Sequence, residues 1–233
     1  EVALSSIERF GITIFAAVSS YFVMLADALR AEPRNVFSVR RALTGGEPLS
    51  PETERAWLEA SGGNVLEQFI GTSELFHVFV TSSHASETTR VSTMGRAVPG
   101  YEVVAVDPDT LKPVPDGTQG LMATRGPSGT VYWQNAEKQA ELVREGWNVF
   151  ADVVVRDADG FFYYIARHDE MIVSSGYNIS PIEVETALLR HEAVVECAAV
   201  AAPDPMDVRI PLAAAKMTRP STSSTTAAPR MIR

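Results

Sequence analysis

Hydrophobic and polar positions change their spacing twice along the chain. In residues 1–98, apolar runs of strand length alternate with amphipathic segments of helix length, which is typical of a mainly parallel α/β domain. In residues 99–166, Pro and Gly punctuate short β-type runs, which predicts a small antiparallel sheet or barrel. Residues 167–217 then read as strand, helix and strand. The pattern therefore predicts an α/β protein: a partial parallel α/β domain, an antiparallel β subdomain and the start of a small α+β C-terminal domain.

Local signals predict where individual elements begin and end. Ser50-Pro51 and Ser180-Pro181 each place a capping hydroxyl before a Pro at the first helical position, so a helix is expected to begin at both sites. The polar segment Arg156–Gly160 separates two apolar runs and ends in Gly, which predicts a β-hairpin over 148–165. Residues 218–233 are rich in Ser and Thr without a core-forming pattern, and we expect them to be disordered.

Composition narrows the class of protein. The chain has 233 residues and a net charge of −9, which argues against a nucleic-acid partner. No apolar run approaches the roughly 20 residues of a membrane span, so no membrane partner is expected. The single cysteine, Cys197, excludes an intrachain disulfide framework and suits a reducing compartment. We therefore expect a cytoplasmic protein, and the absence of an initiator Met indicates a fragment.

Two Gly-containing loops follow predicted strands, at the sheet edge where α/β proteins bind ligands. Gly45–Pro48 allows a flat ligand to approach the backbone closely, although turn statistics favour an ordinary turn for this loop taken alone. Gly71–Glu74 offers hydroxyl groups that can hold a phosphate and a carboxylate that can hold Mg²⁺. A helix N-cap with an acidic first turn is the alternative interpretation of the second loop.

The segment 146–185 combines a hairpin, a charged cluster, a turn and a capped helix. On spacing alone, a surface hairpin with solvated ends explains it. Its amino-acid sequence, however, resembles the signature of the adenylate-forming superfamily of acyl-CoA ligases, luciferases and adenylation domains. That signature is roughly W-x-x-T-G-D and then G-R-x-D-x-x-I-x-x-x-G-x-x-I-x-P-x-E-V-E. The matching positions are Trp147, Asp152, Arg167, Asp169, Ile172, Gly176, Ile179, Pro181, Glu183, Val184 and Glu185. Two positions depart from it: Phe150-Ala151 replaces Thr-Gly, and Ala166 replaces Gly.

The resemblance implies the use of ATP, Mg²⁺ and CoA, and it assigns roles to residues of this chain. It implies that Asp152 and Arg167 converge on one ribose, below a phosphate held by the loop at 71–74. It places Glu74 as the metal ligand and gives Glu74 and Arg167 catalytic roles. The remaining implied roles are the adenine-side loop (Gly46, Glu47, Pro48), the phosphate motif (Gly71, Thr72, Ser73), the interdomain hinge (Asp169) and the pantetheine tunnel (Gly176).

A second resemblance concerns the substrate. The run Ser73–Phe79 resembles S-T-E-M-x-H-I-F of benzoate and 2-aminobenzoate CoA ligases, which implies an acyl pocket lined by Gly71, His77 and Val78. A histidine satisfied in the core is the alternative for His77. We therefore expect a fragment of an ATP-dependent aromatic acid–CoA ligase that forms an acyl-AMP and then a CoA thioester. A ligase for another acid, such as a medium-chain fatty acid, and a non-catalytic AMP-binding remnant are the alternatives.

Two motifs of the superfamily do not appear in the sequence. The phosphate loop S-G-T-T-G-x-P-K-G would lie upstream of residue 1, and no P-K-x-x-G-K context for a catalytic Lys follows Lys216. A truncation or a shifted reading frame would each explain this. The implied role of that Lys is to neutralise developing charge, so we expect this chain alone to adenylate poorly or not at all.

Overall fold

A computed structural model describes residues 2–82, 93–174, 177–191, 193–203, 209–217 and 230–232. The chain divides into two compact units, Glu1–Phe150 with Val154–Tyr164 and Ala151–Val153 with Ile165–Arg233. Helices and mixed sheets build the first unit, so the α/β class predicted from the sequence is confirmed. In the described residues, no helix has both the length and the apolar character needed to cross a membrane.

The first sheet begins with parallel strands and ends with antiparallel ones. Strands β1, β2 and β3 are parallel neighbours, whereas β4 and β5 add in antiparallel fashion beyond β3. Helices α2 and α3 connect the parallel strands, as the alternation of apolar runs and helical segments predicts. The bounds are α1 Val2–Phe10, β1 Ile14–Ala17, α2 Ser19–Ala31, β2 Arg41–Thr44, α3 Pro51–Ala60, β3 Leu66–Thr72, β4 His77–Thr81 and β5 Arg96–Ala97.

Helices supply the bulkiest buried side chains of the core around the parallel strands. Ile7, Phe22 and Trp57 are fully buried there, and the rings of Phe22 and Trp57 meet edge to face with centroids 4.9 Å apart. Such a pair contributes about 0.5–1.5 kcal/mol beyond its area of burial. Helix α3 begins at the predicted signal, because the Ser50 hydroxyl accepts the N–H of Thr53 at 3.1 Å. This cap fixes the start of the helix that carries Trp57 into the core.

The second sheet is antiparallel and curled into a half-barrel, in the strand order β10-β9-β7-β6 with β8 against β9. The predicted hairpin is confirmed, since Asp157 Oδ1 accepts the N–H groups of Asp159 and Phe161 at 3.0 and 2.9 Å across the turn. The rings of Phe79 and Phe150 stack in its core, 5.6 Å apart. The bounds are β6 Glu102–Val106, β7 Gln119–Arg125, α4 Ala136–Leu142, β8 Val143–Arg144, β9 Trp147–Arg156 and β10 Phe162–Arg167.

The second unit contains the predicted strand–helix–strand segment. The buried Ser180 hydroxyl accepts the N–H of Glu183 at 3.4 Å and donates to the Ile165 carbonyl at 2.8 Å, which fixes the start of α5. Its elements are β11 Ile172–Ser174, β12 Tyr177–Ile179, α5 Pro181–Leu189, β13 Val194–Pro203, β14 Arg209–Met217 and β15 Arg230–Ile232.

Two further sequence predictions concern the last residues of the chain and Gly176. Disorder was expected over 218–233, but Arg230–Ile232 pairs with β14, because extended backbone can bond an open strand edge without any core-forming pattern. Residues 218–229 and 233 lie outside the described residues. Gly176, the predicted tunnel residue, also lies outside them.

Candidate functional site

The loops after β2 and β3 leave the first sheet at its carboxyl end, because these strands are parallel neighbours. In the first loop, a Cβ at Gly45 would lie 2.6 Å from the Phe69 ring, so a side chain there would have to displace that ring. Gly46 has φ +83°, in the left-handed region that favours Gly. Gly46 and Pro48 are exposed. This loop is therefore shaped by packing and backbone geometry, and its outer surface is open to a ligand.

Glu47, predicted on the adenine side, has structural partners. Its Oε2 accepts the Ser20 backbone N–H at 2.9 Å, and its Oε1 accepts the Ser20 hydroxyl at 3.2 Å. Helix α2 has Val18 at its N-cap, a residue without a capping side chain. Glu47 supplies the missing acceptor, and its charge complements the helix dipole. The predicted nucleotide residue thus anchors its loop to the start of α2.

The predicted phosphate motif forms a turn between β3 and β4. The Leu75 N–H approaches the Thr72 hydroxyl at 3.3 Å, and the Phe76 N–H donates to the Thr72 carbonyl at 2.9 Å. Residues 73–76 lead directly into β4, so the interpretation as a helix N-cap is wrong. Ser73 is exposed and Glu74 is half-buried on this turn. The turn therefore presents a hydroxyl and a carboxylate at the end of a strand.

Glu74 is held by a residue that the sequence did not indicate. The phenol of Tyr132 donates to Glu74 Oε1 at 2.6 Å. Burial raises the pKa of Glu74, but hydrogen bonds from Tyr132, its own backbone and Thr72, together with the charge of Lys138, outweigh it and lower the pKa. In return, the hydrogen bond to Glu74 raises the pKa of Tyr132. The carboxylate is therefore ionised at neutral pH.

The donor set around Glu74 fits a magnesium ion bound mainly by phosphates. Over the described ranges, no group of three or more His, Cys, Asp or Glu side chains could enclose a metal. Mg²⁺ is commonly held by one or two carboxylates while substrate phosphates and water complete its shell. Glu74, ionised and partly open to solvent, has the chemistry of such a single protein ligand.

The three predicted acyl-pocket residues lie together in the β3–β4 hairpin. Gly71 pairs with Val78 at a β-bulge, and a Cβ on it would lie 2.9 Å from the His77 carbonyl oxygen. His77 Nδ1 lies 2.6 Å from the Val78 carbonyl oxygen, and its ring stacks on Tyr101 at 6.1 Å. His77 is exposed, so the alternative of a core histidine is wrong. The hairpin thus places an imidazole beside a half-buried aliphatic side chain.

The second unit brings the predicted ribose and hinge residues together. Arg167 donates from Nε and Nη2 to both oxygens of Asp169, at 3.0 and 2.9 Å. Burial raises the pKa of Asp152, the charge of Arg167 opposes that rise, and Asp169 and Glu170 add to it. Arg167 therefore acts on Asp152 through its charge, while its hydrogen bonds go to Asp169.

Comparison with known proteins identifies the family. Residues 1–133 match the AMP-binding enzyme family, and residues 183–229 match the AMP-binding enzyme C-terminal domain. The chain belongs to the AMP-binding enzyme family. The resemblance seen in the sequence signature is therefore confirmed.

Relatives and solved structures include several ligases. The mouse mitochondrial acyl-coenzyme A synthetase ACSM4 is 33% identical over 88% of this chain and 36% of its own length. The benzoate–CoA ligase of Thauera aromatica is 35% identical over 80% of this chain and 35% of its own. The anthranilate CoA ligase AuaEII, solved with anthranoyl-AMP, is 31% identical with a TM-score of 0.82, covering 96% of this chain and 43% of that chain. The chain thus spans about a third of the length of the curated relatives it matches.

Proposed function

We propose that this chain is the AMP-binding part of an ATP-dependent aromatic acid–CoA ligase of the benzoate or 2-aminobenzoate type. The observation that carries the proposal is the Glu74 carboxylate on the turn after β3, held by the Tyr132 phenol and followed three residues later by His77 and Val78 at the start of β4. The family match and the names of the benzoate–CoA and anthranilate–CoA ligase relatives support the same chemistry. The substrates are then an aromatic carboxylic acid, ATP and CoA.

Each group of site residues has a proposed binding role. Thr72 and Ser73 would bind the α-phosphate, and Glu74 would hold Mg²⁺, which supplies charge neutralisation on the phosphates. Gly46 and Pro48 would face adenine, whereas Glu47 holds the loop to α2. Asp152 and Arg167 would bind the ribose hydroxyls, since a carboxylate accepts and a guanidinium donates. The Gly71–His77–Val78 hairpin would contact the acyl group.

The proposed reaction has two steps. A carboxylate oxygen of the acid attacks the α-phosphorus of ATP, and pyrophosphate leaves with the bond electrons to give an acyl-AMP. The CoA thiolate then attacks the acyl carbon, and AMP leaves to give the thioester. Neither step needs a covalent bond to the protein. What this chain contributes is positioning and charge stabilisation of the phosphates and the ribose.

Binding and turnover separate this proposal from its alternatives. Titration calorimetry with AMP and with a benzoyl-AMP analogue should show binding, and Asp152→Asn should weaken it about tenfold or more. Absence of binding to both would overturn the proposal. Pyrophosphate release by the complete gene product with benzoate, 2-aminobenzoate or octanoate then decides the acid. A preference for octanoate indicates a medium-chain fatty acid ligase, and binding without turnover on any acid indicates a non-catalytic AMP-binding remnant.

We also propose a cytoplasmic location. The absence of a spanning helix in the described residues is compatible with it, and a reducing compartment suits the single cysteine. Several relatives are named as mitochondrial enzymes, which makes mitochondria the alternative. Fractionation of cells that produce the tagged gene product, with matrix and cytosolic markers, distinguishes the two.

A further inference from the structure

The contact between Tyr132 and Glu74 joins two positions 58 residues apart in the sequence. The phenol oxygen lies 2.6 Å from Glu74 Oε1, a distance typical of the short hydrogen bonds that hydroxyl groups donate to carboxylates. Glu74 lies on the turn after β3, whereas Tyr132 lies on the loop that precedes α4. A contact between such distant segments means that one loop fixes the side chain of the other.

Tyr132 is itself held firmly by the start of α4. Its backbone N–H donates to Gln139 Oε1 at 2.9 Å, and its carbonyl accepts the N–H of Asn135 at 3.4 Å. Asn135 caps α4 by accepting the N–H of Lys138 at 3.0 Å. The loop is thereby bonded on both sides of the phenol. The backbone of Tyr132 is therefore held in place by hydrogen bonds, and this fixes the position from which its phenol reaches Glu74.

The contact also divides the two oxygens of Glu74 by role. Oε1 accepts the phenol, and in a one-oxygen mode Oε2 would meet the cation, beside the hydrogen bonds that Thr72 and the Glu74 backbone make to the carboxylate. Lys138 adds its positive charge nearby while pairing with Glu141 at 3.0 Å. A cation held by one carboxylate and several phosphate oxygens needs that carboxylate in a fixed rotamer, because catalytic groups act only within narrow geometric limits.

We propose that Tyr132 is a positioning residue for the Glu74 carboxylate and selects the rotamer in which a single oxygen faces the divalent cation of the bound nucleotide. This inference rests on the proposed function. Its consequence is that loss of the phenol weakens the binding of the metal–nucleotide complex and leaves the carboxylic acid substrate unaffected. A residue that serves only stability would change the melting temperature and not this selectivity.

The test compares Tyr132→Phe with a matched variant, Tyr163→Phe. Tyr163 also donates its phenol to a carboxylate, Asp157 Oδ2 at 3.3 Å, on the β9–β10 hairpin. Mn²⁺ binding in the presence of ATP, followed by electron paramagnetic resonance, should weaken about tenfold in Tyr132→Phe and stay unchanged in Tyr163→Phe. In the complete gene product, the Mg²⁺ concentration for half-maximal acyl-AMP formation should rise similarly, the KM for the acid should stay within about twofold, and excess Mg²⁺ should restore the rate.

A second measurement keeps the inference separate from the proposed function. Crystal structures of the wild-type protein and Tyr132→Phe show whether Glu74 keeps one rotamer. One rotamer in the wild type and several in the variant support positioning, even if the wild type binds no Mn²⁺ with ATP and the proposed function fails. Equal Mn²⁺ affinity in two proteins that both bind the ion, or an unchanged Glu74 rotamer in the variant, overturns the inference.

Discussion

Arg167 and Asp169 form a two-pronged ion pair across a single intervening residue. Nε and Nη2 of Arg167 lie 3.0 and 2.9 Å from the two oxygens of Asp169, and this bonding lowers the pKa of Asp169. The predicted ribose ligand is therefore joined to the predicted hinge residue. If Arg167 binds the ribose and Asp169 is the hinge, as proposed, a nucleotide must compete with Asp169 for the guanidinium. We therefore expect nucleotide binding to be coupled to backbone rotation at Asp169.

Removal of the hinge carboxylate should free Arg167 for the nucleotide. Both partners are largely exposed, so the pair contributes no more than about 1 kcal/mol, and Asp169→Ala should change the free energy of unfolding by no more than that. We expect Asp169→Ala to bind AMP about threefold more tightly in calorimetry, with the gain lost in high salt because screening weakens exposed pairs. Glu170→Gln is the control, since Glu170 lies 4.0 Å from Arg167 Nε. Weaker AMP binding in Asp169→Ala would instead show that Asp169 prepositions Arg167.

Asp152 should reduce stability at neutral pH. Burial raises its pKa, so the folded state holds the proton more tightly than the unfolded chain does. The ionised carboxylate then destabilises the fold, and stability falls as the pH rises from about 4, the ordinary value, through the raised pKa. Asp152→Asn should therefore melt at a higher temperature than the wild type at pH 7 and at the same temperature near pH 3.

The control for the pH experiment is Asp109→Asn, which changes an exposed carboxylate in the first unit. Its melting temperature should follow that of the wild type at both pH values. A lower melting temperature for Asp152→Asn at pH 7 would contradict the destabilising role of Asp152. Asp152→Asn should also lose AMP affinity, so the carboxylate that favours AMP binding is expected to lower the stability of the protein.

Local rules predicted the ends of elements well. The caps at Ser50 and Ser180 and the turn at 157–160 depend on residues within four positions of each other, and the structure has each of them. Such signals are readable because side chain and backbone partners are neighbours in sequence.

Contacts between distant segments were not predictable in the same way. Glu47 caps α2 from 27 residues away, and Tyr132 reaches Glu74 over 58 residues. Neither contact has a residue spacing that reveals it in the sequence, because each depends on how strands and loops pack in three dimensions. The resemblance of the sequence to a family located Glu74, but the partner that orients it came from the structure.

A side chain at Gly71 should strain the bulge between β3 and β4. A Cβ there would lie 2.9 Å from the His77 carbonyl oxygen, which is backbone and cannot rotate away. We expect Gly71→Ala to lower the free energy of unfolding by about 1–3 kcal/mol in urea denaturation. Gly129→Ala is the matched control, since nothing lies within 4 Å of its added Cβ, and it should stay within about 0.5 kcal/mol. Equal stability of the two variants would show that the hairpin relaxes freely.

Glu185 should fasten α5 to the edge of β13. Its Oε1 accepts the Ala199 backbone N–H at 2.9 Å, and its backbone carbonyl lies 3.5 Å from Cys197 Sγ. Glu185→Ala removes the acceptor and leaves a strand-edge N–H unpaired, so we expect a loss of about 1–2 kcal/mol in urea denaturation. Glu185→Gln keeps an acceptor oxygen and should lose less, whereas Glu196→Gln, which breaks an exposed pair with Lys216, should stay within about 0.5 kcal/mol. Faster amide hydrogen exchange at Ala199 in Glu185→Ala alone would locate the effect at this strand, and unchanged exchange there would exclude it.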